Sequence, residues 1–437
     1  MKRINNSVFV LPLLIGIIHI NAQEKKTITL DEAVQLGIQN SKNLKIDAAK
    51  IEEATADLLE AKNRQLPEFK ISGSYMYLPI EPTIDIKLPG VSTAGGPKVH
   101  QVLYGSANLS VPIYSGGRIK YGIQSAKYLV EASKLSTEND KVAIAYNVAE
   151  AYNNLFKANQ SIKVLEENLS ASQKRDETFL KMENNGIIAR NDRLKANLQT
   201  SNIELQLLEA KNNYNIANIN MDLLLGLPEN TEIEVDQNYI EEGEDAKPVE
   251  FYVNEAKDNR KDLQALAQQR KAAELGTKSA KAENYPSIAF TGGYVAADIP
   301  KFLTIYNAVN VGVGVQYNLS NLWKKNSSLQ KSQAVEKQLE ATNELLDDTI
   351  KLQVNKEYQN TDYSKKRIAV FEKSAEQANE NYRITKNKFD NGLATMTELL
   401  DADAAQISAN VGVINAKADA ALAYRKLLQT TGTLTIK

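Results

Sequence analysis

Apolar residues recur along this chain with two different periods. The windows 113–227 and 301–437 hold no proline, so nothing there removes a backbone donor or clashes with a preceding helical turn. In the first window Ile144, Val148, Ala151, Leu155, Ala158, Ile162, Leu165 and Leu169 advance by fours and threes, the spacing of a coiled-coil seam. In the second, Leu400, Ala404, Ile407, Val411, Ile414, Ala418 and Ala421 do the same, and the other faces carry Lys, Glu, Asn and Gln. This spacing predicts a helix over about 118–183, roughly 100 Å long at 1.5 Å per residue. Elsewhere the period falls to two. Val309, Val311, Val313 and Val315 alternate with Asn310, Gly312 and Gly314; Leu103, Ala107, Leu109, Val111 and Ile113 alternate with polar neighbours; Phe69, Ile71, Tyr75 and Tyr77 and then Ile288, Phe290, Tyr294 and Ala296 follow more loosely. Strands are therefore predicted at about 68–78, 102–114, 287–297 and 308–319. Each is long enough, when tilted, to cross an outer membrane, with one apolar side and one small or polar side. An amphipathic hairpin in a soluble sheet has the same periodicity. Tyr77, Tyr104, Tyr114 and Tyr317 near strand ends, with Trp323 just beyond, favour the membrane wall, because aromatic rings collect at its rims.

The first residues read as an address. Lys2 and Arg3 precede the apolar run Val8–Ile20, and Asn21-Ala22-Gln23 places a small residue at a cleavage point, so a signal peptide removed after Ala22 is expected. The run is too short to span a bilayer, and the destination lies outside the cytoplasm. Composition narrows the chemistry. With 24% charged residues and a mean hydropathy of -0.39, a bundle of membrane-spanning helices is excluded. The 52 basic and 54 acidic residues leave a net charge of -2, which gives nucleic acid no hold. There is no cysteine, and His19 and His100 are the only histidines. With no phosphate loop and no nucleophile elbow either, no catalytic residue, cofactor or metal site is predicted, and an enzyme is the least expected reading.

The chain also resembles itself. Ala61-Lys62-Asn63-Arg64-Gln65-Leu66-Pro67 is answered by Ala280-Lys281-Ala282-Glu283-Asn284-Tyr285-Pro286, and Glu183-Asn184-Asn185-Gly186-Ile187 by Phe389-Asp390-Asn391-Gly392-Leu393. Two repeats are predicted, 23–226 and 251–437, joined by an acidic linker at 227–250. Strand–helix junctions fall at Pro67, Pro286, Gly116, Gly117 and Trp323. A proline- and glycine-rich stretch from Leu78 to Gln101 reads as a long exterior loop. Four strands cannot close on themselves, and open edges in hydrocarbon leave backbone groups unsatisfied at several kcal/mol each. Bacterial barrels begin at eight strands, so other copies must complete the wall; two chains would give eight strands and three would give twelve.

With this plan, the opening segment Leu30-Asp31-Glu32-Ala33-Val34-Gln35-Leu36-Gly37-Ile38-Gln39-Asn40, the segment Val111-Pro112-Ile113-Tyr114-Ser115-Gly116-Gly117-Arg118 and the two glycine turns, the chain resembles the TolC-like outer membrane efflux protein family. The resemblance implies a mainly α fold with a transmembrane β-barrel portion: a homotrimer sharing a twelve-stranded barrel above a long periplasmic coiled-coil tunnel. It implies an outer membrane location with a large periplasmic portion, contact with outer membrane lipid, a periplasmic adaptor docked at the tunnel tip and, through it, an inner-membrane transporter. The expected function is a passive exit duct for efflux or type I secretion. An autonomous diffusion porin and a secreted helical scaffold without a barrel are the alternatives. A porin has no use for helices of about 100 Å.

At the tip, Gly186 and Gly392 suit left-handed helix-ending turns, and Asp192 and Glu398 fall in the first turn of the returning helices, where a carboxylate is favoured. Glu398 and Asp401 share a face; repeated around an axis, they would form stacked acidic rings that favour cations. The family pattern assigns the periplasmic aperture to these matched positions, so Glu398, Asp401, Phe389 and Asp192 are its expected residues. Some members lock the tip with an arginine two residues past the second glycine, paired to an acid of the first repeat. Here that position is Ala394, which leaves Asp192 without the partner and Arg190 and Arg193 as substitutes. Gly186, Ile187, Ile188, Arg190, Gly392, Leu393 and Met396 form the expected adaptor-docking turns, their apolar members having no evident core to enter.

Overall fold

A computed structural model describes residues 25–80, 82, 98–236, 239–240, 247–300 and 302–435. The expected signal peptide and most of the 78–101 loop lie outside them. The first repeat runs β1 (Lys25–Ile28), α1 (Leu30–Asn40), α2 (Lys42–Asn63), β2 (Glu68–Tyr77), β3 (Gln101–Tyr114), α3 (Arg118–Asn184) and α4 (Arg190–Leu225). The second runs β4 (Glu232–Val235), α5 (Val249–Asn259), α6 (Lys261–Ala282), β5 (Ser287–Ile299), β6 (Leu303–Gln316), α7 (Ser327–Asp390) and α8 (Met396–Thr431). Matched elements agree closely in length: α1 and α5 have 11 residues, α2 and α6 have 22, and α4 and α8 have 36. The long helices α3 and α7 have 67 and 64 residues, about 100 and 96 Å. No described helix is long and apolar enough to cross a membrane.

The segment read as an acidic linker contains β4, which pairs in parallel with β1 from Lys25↔Glu232 to Ile28↔Val235. It is the second repeat's counterpart of β1. Its signal, the alternation Glu232-Ile233-Glu234-Val235, is too short to stand out among the surrounding acids. The first repeat's helices hold it: Asn218 Nδ2 donates to the Thr231 carbonyl (2.6 Å), Ile233 N–H donates to Asn218 Oδ1 (2.9 Å) and the Tyr214 hydroxyl donates to the Ile233 carbonyl (3.1 Å). The buried Tyr152 hydroxyl donates to the Ile28 carbonyl (2.9 Å) and accepts from Asp236 N–H (2.8 Å), tying both strands to α3. Around them lies the largest core, with Val148, Leu155, Phe156, Met221, Leu225 and Ile233 all buried.

The other four strands form one antiparallel sheet in the order β2-β3-β5-β6. Directly paired residues point to the same side. One side therefore carries the rows Ile71–Ala107–Tyr294–Val309 and Phe69–Leu109–Gly292–Val311. The opposite side carries Ser72, Ser106, Asn108, Thr291 and Asn310, with Ser72 and Ser106 hydroxyls 2.8 Å apart. The apolar side is bare: Ile71 is 77% exposed and Val311 68%. Strand β6 begins at Leu303, not near 308. A bulge opposite Val295–Ala297, with Asn307 at φ 63°, breaks the alternation and hides the strand's first residues from the pattern.

Where β3 turns into α3, Gly116 and Gly117 have φ 63° and 90°. A Cβ on Gly116 would lie 2.8 Å from the Ala282 carbonyl oxygen and from Tyr285 Cβ, so a side chain there would drive the two repeats apart. Pro67 and Pro286 immediately precede β2 and β5, and Trp323 is 71% exposed beyond β6.

Candidate functional site at the hairpin tips

The two long helices end in the same backbone device. At the first tip, Ile187 N–H donates to the Met182 carbonyl and Gly186 N–H to the Glu183 carbonyl, both at 2.9 Å. At the second, Leu393 N–H donates to the Lys388 carbonyl (2.8 Å) and Gly392 N–H to the Phe389 carbonyl (2.9 Å). With Gly186 at φ 71° and Gly392 at φ 73°, each is a complete Schellman turn, and each glycine stands where an L side chain would be strained.

The returning helices start differently. Thr395 caps α8: its N–H and hydroxyl donate to Glu398 Oε2 at 2.7 and 2.9 Å, and Glu398 N–H donates back to Thr395 Oγ1 at 3.3 Å. The bond from the Thr395 backbone, then the one from its hydroxyl, lower the Glu398 pKa below the usual carboxylate value. Glu398 is thus engaged in a capping box while remaining exposed. Asp401, one turn on, is exposed. The cap position of α4 is Ala189, which has no side-chain acceptor, and Asp192 instead pairs with Lys195 at 3.3 Å. Arg193 forms an ion pair with Glu183 inside its own hairpin. Neither Arg190 nor Arg193 is ion-paired with Asp192, so the substitutes expected for the missing arginine do not take that role in this structure.

The tips also have a core of their own. Phe179, Ala196, Met396 and Leu399 are buried together, with Met182, Ile188, Tyr382 and Phe389 packed against them. Phe389 meets Phe179 edge-on at 5.6 Å. Met396, expected to be exposed, is only 4% exposed because the 3-4 row of α8 begins with it, and Ile188 is half-buried. Ile187 and Leu393, 66% and 77% exposed, are the apolar side chains that face outward.

Just above this core lies a cluster that sequence reading missed. Arg175 on α3 grips Asp403 on α8 with two bonds, Nη1 to Oδ1 at 3.0 Å and Nη2 to Oδ2 at 2.8 Å, and Nη1 also donates to the Tyr382 hydroxyl of α7 at 2.6 Å. The side chains of Arg175 and Asp403 are 15% and 5% exposed. Burial is the main cause that raises the Tyr382 pKa. Farther along, Asp419 of α8 receives Lys157 of α3 at 2.8 Å and Arg367 of α7 at 3.3 Å. Two charge clusters therefore tie α8 to α3 and α7 at different heights. The available signal was a polar break in the row Met396, Leu399, Asp403, Gln406, Asn410, where Gln406 and Asn410 both bond Asn379 of α7.

A sequence profile described as outer membrane efflux protein matches residues 33–227 and 252–433. The chain belongs to the outer membrane efflux protein family. The two matched blocks of the efflux profile follow the two repeats, and the stretch between them holds β4. No curated protein matches the sequence. Among solved structures, the fold is similar to the Campylobacter jejuni CmeC outer membrane channel, at 17% identity and TM-score 0.79 over 99% of this chain and 94% of that one. It is also similar to the outer membrane protein VceC of Vibrio cholerae (16%, 0.75, 92% and 96%) and to the open state of the Neisseria gonorrhoeae MtrE outer membrane channel (16%, 0.73, 93% and 89%). At such identity the likeness is one of fold. The structures this chain resembles are those of outer membrane channel proteins.

Proposed function

We propose that this protein is the outer membrane exit duct of a tripartite efflux or type I secretion assembly. As a homotrimer it passively conducts substrate that an inner-membrane transporter and a periplasmic adaptor deliver. The observation that carries this reading is the unfinished sheet: four strands, one largely apolar side bare, and two unpaired edges at β2 and β6. In hydrocarbon the apolar side is at home, and the edges find partners only by pairing β2 of one copy with β6 of the next. The helices are unfinished in the same sense. Strips of exposed apolar residues run along α4 (Leu194, Leu198, Leu205, Leu208) and α7 (Leu345, Leu352, Val370). These two helices flank α3 and α8, so head-to-tail joining closes helices and strands in one ring. Three copies give the twelve strands that the family resemblance implies.

In this duct Glu398 and Asp401 ring the periplasmic aperture, Ile187 and Leu393 meet the adaptor, and Arg175–Asp403–Tyr382 holds the closed tip. The polarity of that last contact is the reverse of the family's lock, with the arginine in the first repeat and the acid in the second. Replacing Glu398 and Asp401 with Ala is expected to raise single-channel conductance in planar bilayers and weaken block by multivalent cations; unchanged conductance and block would remove both from the aperture. The assembly itself is tested by sedimentation of gently extracted protein, where stable, folded single copies that need no detergent would overturn the duct.

A further inference from the structure

The two ends of the sheet differ in charge. Where strands meet helices, residues 60–70, 114–120, 281–287 and 317–325 hold eight basic side chains against three acidic ones. At the opposite end, the described residues among 78–101 and 298–303 hold one of each, Lys98 and Asp298. Two of the eight are neutralised locally, Arg64 by Glu60 at 2.9 Å and Lys70 by Glu68 at 2.8 Å. The other six, Lys62, Arg118, Lys120, Lys281, Lys324 and Lys325, are exposed and make no ion pair among the described residues. Aromatic rings accompany them: Trp323 directly precedes Lys324, Tyr285 follows Lys281 by one turn, and Tyr114 precedes Arg118 by four residues, all three exposed.

Aromatic rings settle at the depth of lipid headgroups, and long basic side chains extend from there toward phosphate. An unpaired ammonium or guanidinium just past the ring level therefore sits where a phosphodiester is the nearest abundant counterion. A collar of such groups at a rim favours lipids with net negative charge over zwitterionic ones. We propose that this collar binds the headgroups of anionic phospholipids in the leaflet facing the helices, and so sets the depth and orientation of the sheet in the bilayer. The proposal rests on the membrane-spanning reading of the sheet given above.

The test reconstitutes the full-length protein into vesicles of phosphatidylcholine alone and of an equimolar mixture with phosphatidylglycerol. Resistance to urea extraction scores insertion, and native mass spectrometry after mild re-extraction counts the lipids retained. The wild type is expected to insert into both vesicles and to retain phosphatidylglycerol over phosphatidylcholine. Each cation near an anionic surface contributes about fivefold, so Lys120→Glu/Lys324→Glu/Lys325→Glu should lose at least about fivefold of that enrichment while inserting normally into phosphatidylcholine. If the reversed charges prevent folding, the corresponding Lys→Gln set provides the same comparison. Equal retention of the two lipids by the wild type, or undiminished preference in the variants, overturns the collar while leaving the duct standing. Failure of the wild type to insert into either vesicle overturns both.

Discussion

The two hairpin tips reach one shape by different means. Their helix-ending turns superpose bond for bond in pattern, with a glycine at φ near 70° in each. Their helix starts share nothing but backbone: Thr395 and Glu398 cap α8 reciprocally, while Ala189 leaves α4 with no side-chain cap. The glycine turn is thus the shared geometric requirement, and the cap is adjustable. A carboxylate at the third helical position can be engaged locally, as Glu398 is, or left to pair with a surface lysine, as Asp192 does. A sequence match at that position identifies where the acid lies in the fold without saying what it bonds.

The comparison breaks most severely at the contact joining the two hairpins. Arg175→Ala leaves the Asp403 carboxylate buried without its partner, a loss of about 3–5 kcal/mol. Hydrogen exchange should show both tips loosening together, and Asp403→Asn in the same chain should restore much of the protection; loosening of one tip alone would mean the hairpins are not coupled there.

A second contrast sets the tip end of α4 against its far end. Asp222, fully buried near β4, has its pKa raised to about 6, chiefly by desolvation and then by Glu229. The folded state then holds a proton that the unfolded chain has already lost between about pH 4 and 6, so stability declines as pH rises through that window and is flat above it. The cost near neutrality is at most about 3 kcal/mol. Asp222→Asn should raise the chemical-denaturation midpoint at pH 7 and flatten the profile below it, while the exchange protection factors at the tip end of α4 stay independent of pH.

Smaller effects probe the turns and caps. Gly186→Val and Gly392→Val should each weaken their tip by about 1–2 kcal/mol through left-handed strain, to a similar degree, because neither glycine has a neighbour within 4 Å of an added Cβ. Unequal losses, read from local exchange, would show that the turns are not equivalent. Thr395→Ala should cost about 1 kcal/mol at the start of α8, and Ala189→Thr should gain a similar or smaller amount at the start of α4, both visible in the same exchange profiles.

Much of this architecture is legible in the sequence because its two periods are nearly pure. Proline-free heptad rows gave α3 and α8, and alternating valines and glycines gave most of β6. The exceptions have local causes. The bulge at Asn307 disturbs the period that identifies a strand, and β4 is four residues long in an acidic stretch. At the tip, Gly186 and Gly392 could be read because left-handed backbone restricts residue choice so tightly. The burial of Met396 and the grip of Arg175 on Asp403 could not, because a charged residue within a coiled-coil row looks like an interruption until its partner on another helix is known.

The bedding of β4 in the first repeat's core has a consequence for how the molecule can be divided. Although the duplication invites a cut between the repeats, the strand that opens the second half rests on Tyr214 and Asn218 of the first and pairs with β1. Bisecting the gene at the repeat boundary would strip one fragment of a strand its helices are shaped to receive and leave the other with an apolar ribbon that has lost its berth. The halves are interlocked, each completing part of the other's core.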